Sequence, residues 1–230
     1  MSRRDEIAAG LASVRERIDR AATDAGRDPA AVQLVVVTKF FPAGDVRLLA
    51  ELGVTDVGEN RHQEAQEKAA ECADLGLRWH FIGGLQSNKA AAVADWARVV
   101  ESVDRVKLVG PLARGAQSHP LQVLLQVSLD PPDADGRSGC DADLLPALAA
   151  RVEEEETLEL RGLMAVAPLG EDPARAFARL SAIRAGFLAD HPRADWLSAG
   201  MSGDLEHAVR HGATHVRVGS AILGSRPRVK

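Results

Sequence analysis

The chain has 230 residues, 46% hydrophobic and 27% charged, with a formal net charge of −5, an ordinary globular composition without the basic footprint of a nucleic-acid binder. Met1-Ser2-Arg3-Arg4 runs at once into Asp5 and Glu6, so no signal peptide is expected, and no apolar run reaches membrane-spanning length. Cys72 and Cys140 are too few for a disulfide framework and lack metal-site spacing, so both read as free thiols of a cytoplasmic protein.

Ile7, Leu11, Val14 and Ile18 recur at helical spacing, which predicts a helix from about Ser2 to Asp24, ended by Ala25-Gly26-Arg27-Asp28-Pro29. Leu34 to Val37 is an aliphatic run without polar alternation, as expected of a parallel strand buried on both faces. Thr38 and Lys39 stand at its end, before Phe40, Phe41 and Pro42. A helix from about Ala43 to Leu52 follows, then a strand at Asp56-Val57-Gly58, then Glu59-Asn60 and a helix through Gln63 to Ala73. Asn60 reads as that helix's N-cap or as a side chain that orients a cofactor substituent, with the cap preferred. Arg78 to Ile82 reads as a strand, Ser87 to about Ala94 as a helix capped by Ser87, and Val99-Val100 as a strand with Asp104 capping the helix behind it. Leu121 to Val127 is a further apolar run that opens into Asp130–Gly139, a turn-rich lid candidate. Asp141 to Ala150 reads as helix, and Glu153 to Glu156 as its solvated end, with no partner required. Strands at Leu158–Met164, Trp196-Leu197 and His215–Val218 then alternate with helices at Pro173–Leu188 and Asp204–His211. This makes about eight β/α units, so the expected fold is a TIM (β/α)8 barrel, a single domain over residues 1–230 with an extra N-terminal helix. A doubly wound open sheet is the alternative, weakened by the lack of a Gly-x-Gly-x-x-Gly after the first strand.

Lys39 carries the first chemical signal. A lysine emerging from an apolar strand end is a candidate nucleophile, because desolvation disfavours the ammonium and leaves the amine to attack a carbonyl. The plain alternative is a lysine that ends a strand in solvent. The second signal is a pair of turns, Ser198-Ala199-Gly200-Met201-Ser202-Gly203-Asp204 and Gly219-Ser220-Ala221-Ile222. Glycines let backbone N–H groups approach an anion, Ser202 and Ser220 add hydroxyls, and barrels often hold phosphate in the loops after strands seven and eight. Arg217, between Val216 and Val218, alternates to the opposite face. There it needs a phosphate, a ring nitrogen or a carboxylate, and an ion pair with Glu59 or Glu101 would serve equally. His80 reads as a packed, hydrogen-bonded core residue, with no second ligand at metal spacing. Together these features describe a phosphate-bearing aldehyde with its carbonyl against Lys39, and pyridoxal 5′-phosphate is such a ligand.

The segments Val36-Val37-Thr38-Lys39, Gly58-Glu59-Asn60, Trp79-His80-Phe81-Ile82-Gly83-Gly84-Leu85-Gln86-Ser87-Asn88-Lys89, Gly162-Leu163-Met164-Ala165, Leu197 to Asp204 and Val216 to Gly224 resemble, in order, the pyridoxal phosphate homeostasis proteins, also called proline synthase co-transcribed homologues. The resemblance implies a barrel like the N-terminal domain of alanine racemase, fold type III among pyridoxal phosphate proteins. It implies Lys39 as the Schiff-base lysine, phosphate contacts from Ser202, Gly219 and Ser220, and Arg217 facing the pyridine nitrogen or the phosphate, the nitrogen being favoured by similarity to the racemase. Thr38 stands where serine is usual, and Arg137 where a lysine is frequent in the lid loop. The implied role is a non-catalytic carrier in vitamin B6 homeostasis. Its partners are the cofactor and the apo-enzymes that accept it, with no nucleic acid, no membrane and a monomeric chain. The alternative is a pyridoxal phosphate-dependent amino-acid racemase of low activity. Racemisation needs a proton donor or acceptor on each face of the substrate carbon. Racemases of the related family use a tyrosine from a second domain, and this sequence has no tyrosine. A phosphosugar or nucleotide barrel enzyme without the cofactor is the third possibility.

Overall fold

The sheet has no edge. In the computed structural model, which describes residues 2–131, 134 and 139–225, eight parallel strands pair each with the next and the last returns to the first. They are β1 (Gln33–Val37), β2 (Asp56–Glu59), β3 (Arg78–Phe81), β4 (Val99–Val103), β5 (Leu121–Gln126), β6 (Leu158–Met164), β7 (Trp196–Ser198) and β8 (His215–Val218). The helices are α1 (Arg3–Asp24), α2 (Ala43–Glu51), α3 (His62–Glu71), α4 (Ala90–Trp96), α5 (Val109–Gly115), α6 (Leu145–Glu153), α7 (Pro173–Asp190), α8 (Leu205–Arg210) and α9 (Ser220–Leu223). The expected barrel is therefore observed, and the open sheet is excluded by the β1–β8 ladder. Its register pairs Val35 with Arg217 and Val36 with Val218, which brings the end of β1 beside the end of β8. Among the described residues, no helix is long and apolar enough to cross a membrane.

Alternation divides the strand residues between two environments. Val36, Val57, Val216 and Val218 face outward and join Ile7, Leu11, Val14 and Ile18 of α1 and Val46 and Leu49 of α2 in one buried cluster. The barrel interior is different. Glu101 of β4 reaches Ser198 of β7 at 2.5 Å, a contact between strands that are not neighbours, so both side chains point inward.

The extra helix α1 braces the far end of the chain. Ser2 and Asp5 cap it reciprocally. Arg17 pairs with Glu206 of α8 at 2.6 Å and donates to the Ser202 carbonyl at 2.9 Å, and Arg3 donates to the Leu223 carbonyl at 3.0 Å. A Cβ on Gly10 would lie 2.7 Å from the Ile222 carbonyl oxygen, so α1 touches α9 through glycine. Gly10→Ala should therefore destabilise the protein by about 1–3 kcal/mol through overpacking, against a gain of about 1 kcal/mol in helix propensity. Urea unfolding checks the sign.

Three expected caps do not form. Arg61, not Asn60, is the N-cap of α3, and it makes no side-chain cap bond. The neighbouring loop explains this: a Cβ on Gly83 would lie 2.4 Å from the Asn60 carbonyl oxygen, so the β2–α3 loop packs on the β3–α4 loop, not on its own helix. Ser87 lies in a turn closed by the Lys89 N–H on the Gln86 carbonyl, and α4 starts only at Ala90. Asp104 pairs with Arg105, which is itself drawn to the Leu85 carbonyl at 2.6 Å and caps a short 3-10 helix. Asp141–Ala150 is a 3-10 turn, Ala142–Leu144, running into α6. The Glu153–Glu156 run does have partners: Glu154 and Glu155 pair with Arg151, and Glu153 with His191. Most of the expected lid, Arg137 included, lies outside the described residues.

Candidate functional site

A cavity of ≈ 330 Å³ opens at the C-terminal ends of the strands. Lys39, Ser202, Arg217, Gly219 and Ser220 line it together, with Val37, Phe40, Phe41 and Ile82 as its apolar walls. Five of the six expected site residues thus meet in one place. Asn60 does not line this cavity. It lines a neighbouring groove with Arg61, His62 and Lys89, and its Oδ1 is buried without a hydrogen-bond partner. A larger groove runs between α3, α4 and the starts of β3 and β5, at the opposite end of the strands, where barrels build stability more than chemistry.

Lys39 is presented by a tight turn. The Phe41 N–H donates to the Thr38 carbonyl at 3.0 Å, and Phe40 adopts φ 71°, the left-handed region. An aromatic residue there costs on the order of 1–3 kcal/mol. The Phe40 N–H donates to Glu64 Oε1 at 2.7 Å, and the Arg61 guanidinium lies 4.9 Å from the Phe40 ring centroid. Lys39 itself is half-buried.

The two glycine turns converge because β7 and β8 are neighbours. Gly200 has φ 91°, its carbonyl accepts from the Arg217 N–H at 2.9 Å, and a Cβ there would strike the Ala208 side chain at 2.6 Å. Only glycine suits that position. A Cβ on Gly219 would lie 3.0 Å from the Val37 carbonyl oxygen, so the second turn packs closely on the end of β1. The Ser220 and Ser202 hydroxyls are 3.3 Å apart.

Arg217 is buried and hydrogen-bonded. One guanidinium nitrogen donates to Ser198 Oγ at 2.6 Å and lies 3.6 Å from Glu101 Oε2, and another donates to the Ala165 carbonyl at 2.9 Å. Burial pushes its pKa down from the usual arginine value, and Glu101 opposes that shift. The carboxylate pairing expected from the sequence is therefore observed, with Glu101 as the partner, and Arg217 also lines the cavity. The pair continues inward. His80 Nδ1 meets Glu101 Oε1 at 2.7 Å, and His80 Nε2 meets Asp56 Oδ1 at 2.9 Å. Burial works against charge on His80, but hydrogen bonds to the two carboxylates outweigh it and hold the imidazole above its ordinary pKa. His80 is thus a bonded core residue, as expected from the sequence.

Sequence reasoning missed the residues behind the cavity. Ser198 bridges Arg217 to Glu101, while Glu64 and Lys68 stand behind Lys39. The i, i+4 spacing of Glu64 and Lys68 was visible, but the burial of Lys68 was not.

The alanine racemase N-terminal domain model matches residues 10–227. A pyridoxal phosphate homeostasis protein of Pseudomonas aeruginosa is 46% identical over 222 residues, covering 96% of each chain. The chain belongs to the pyridoxal phosphate homeostasis protein family. A second member, from Mycobacterium leprae, is 42% identical over 96% of this chain and 93% of its own. The solved structure of PipY from Synechococcus elongatus with PLP bound aligns at a TM-score of 0.82 and 37% identity, over 95% of this chain and 100% of that one. The family resemblance carried by the motifs is borne out across nearly the whole chain.

Proposed function

We propose that this chain binds pyridoxal 5′-phosphate in the cavity at the barrel mouth and holds it for supply or buffering, as a carrier in vitamin B6 homeostasis. The convergence of Lys39, Arg217 and the two serine turns in one ≈ 330 Å³ cavity carries this reading. The donor set fits: two adjacent hydroxyls and glycine backbone suit a phosphate monoester, and an apolar wall suits a ring. PipY, 37% identical, was solved with PLP bound, which supports it. When bound, this cofactor supplies an aldehyde that condenses reversibly with a primary amine. Lys39 provides the amine, Ser202, Ser220 and Gly219 cradle the phosphate, and Arg217 faces the ring nitrogen. Asn60 supports the wall from behind, through its packing on Gly83 beside Ile82. The reading includes a cytoplasmic monomer that yields its cofactor to apo-enzymes.

A carrier fits these residues better than a racemase. Among the described residues lining the cavity, Lys39 is the one effective base; the others are apolar, hydroxyl-bearing or the arginine. Transfer of bound cofactor to an apo-enzyme, run beside an amino-acid racemisation assay, tests the choice. Transfer without racemisation is expected. A protein that takes up no cofactor and shows no absorbance of a bound one overturns the reading. Ser202→Ala should raise the dissociation constant for the cofactor about tenfold, the weight of one hydrogen bond to a charged group. Unchanged affinity in an absorbance titration would move the phosphate elsewhere.

A further inference from the structure

The peptide units on either side of Lys39 are both gripped by α3. The Thr38 carbonyl, before Lys39, accepts from Lys68 Nζ at 2.9 Å. The Phe40 N–H, after it, donates to Glu64 Oε1 at 2.7 Å. The two holders pair with each other at 3.2 Å across one turn of helix. Glu59, at the end of β2, completes the group: its Oε1 accepts from Lys68 Nζ at 2.6 Å and from Thr38 Oγ1 at 2.7 Å. The Lys68 side chain is 5% exposed and that of Glu59 0%. Lysine is almost never buried so deeply unless paired. Desolvation cancels much of what such a pair contributes to stability, and fixing a register is its best-attested use. Here the register is that of the turn bearing Lys39, whose next residue is in the left-handed region.

We propose that Lys68 and Glu64 are positioning residues for the Lys39 amine: together they fix both peptide planes of Lys39 and so the direction from which its side chain enters the cavity. This rests on the reading of that cavity as the pyridoxal phosphate site. Without Glu64, Phe40 relaxes out of its strained conformation and turns the Lys39–Phe40 peptide with it. Without Lys68, the Thr38 carbonyl loses its buried donor, and the turn loses its anchor to α3.

The test uses the full chain and two ligands. Pyridoxine 5′-phosphate carries the ring and phosphate but an alcohol in place of the aldehyde, so its affinity reads the cavity alone. Condensation with pyridoxal 5′-phosphate, in which Lys39 Nζ bonds the aldehyde carbon and water leaves, is followed by stopped-flow absorbance. Lys68→Met should slow condensation by about tenfold or more, as misplaced reacting groups do, while analogue affinity stays within about threefold of wild type. Glu64→Ala should slow it in the same way, and Glu64→Gln, which keeps an oxygen for the Phe40 N–H, should restore the rate to within about twofold. Wild-type rates in Lys68→Met and Glu64→Ala overturn the positioning role and leave the site standing. So does a slowing matched by equal loss of analogue affinity, which marks a merely structural role. Failure of the wild-type chain to bind the analogue overturns the site itself. Should Lys68→Met not fold by circular dichroism, Lys68→Met with Glu59→Gln removes both charges and replaces it. The Glu64 pair, on a side chain 31% exposed, decides in either case.

Discussion

Lys39→Ala should abolish borohydride-dependent attachment of pyridoxal 5′-phosphate to the chain. Among the described residues, Lys39 is the one lysine that lines the cavity. Lys68 spends its ammonium on the Thr38 carbonyl, Glu59 and Glu64, and Lys89 lines the neighbouring groove. Among the described residues, no neighbouring amine therefore stands in position to replace Lys39. The serine turns and Arg217 are untouched by the substitution, so pyridoxine 5′-phosphate should still bind, within about threefold of its wild-type affinity. Intact mass and peptide mapping after reduction check the result. A variant that still gains the cofactor's mass would remove Lys39 from its assigned role.

Glu101→Ala should destabilise the protein by about 3–5 kcal/mol, the loss expected when one partner of a buried charge network is removed. It strips Arg217 and His80 of a shared counter-charge and leaves Ser198 Oγ without its acceptor. Urea unfolding measures the loss; a change below about 1 kcal/mol, the scale of a surface ion pair, would contradict it. The wild-type pH profile follows from the same group. Burial acts to raise the Glu101 pKa, but His80, Arg217 and Ser198 overcome it and hold the carboxyl at about 2, below its ordinary 4.5. Asp56 is likewise held below its ordinary value: burial raises it, and hydrogen bonds from His80 and Arg78 outweigh burial. A carboxylate with a lowered folded pKa contributes fully above its unfolded value, and that contribution disappears as pH falls through the folded value. Wild-type stability should therefore fall steeply from pH 4.5 down to about 2. His80 has the opposite sign: its raised pKa contributes fully below its ordinary 6.5 and is lost as pH rises through the folded value. Glu101→Ala should make the acid limb shallower, because one of the two buried carboxylates that titrate there is gone while Asp56 remains.

The strands of the sequence reading all exist: four are one to three residues longer than expected, those starting at Arg78 and Leu121 end one residue earlier, and Leu158–Met164 and His215–Val218 keep their expected limits. Helix starts were harder to read. A serine or aspartate before a helix is a capping signal only if the loop leaves it in the cap position. At Asn60 a neighbouring loop took over that choice, at Asp104 an arginine did, and at Ser87 a local turn did.

Local pattern alone determined the eight β/α units, the amine at the end of the first strand and the two glycine turns near the C-terminus. Burial periodicity and turn chemistry are properties of a few consecutive residues. What faces what was decided by closure. Glu101 and Ser198, 97 positions apart, touch only because β4 and β7 look across one barrel interior. Lys39 shares a cavity with Ser202 and Ser220 because β8 hydrogen-bonds to β1. The buried grip of α3 on the lysine turn depends likewise on a helix packing behind a strand end. No spacing along the chain records that contact.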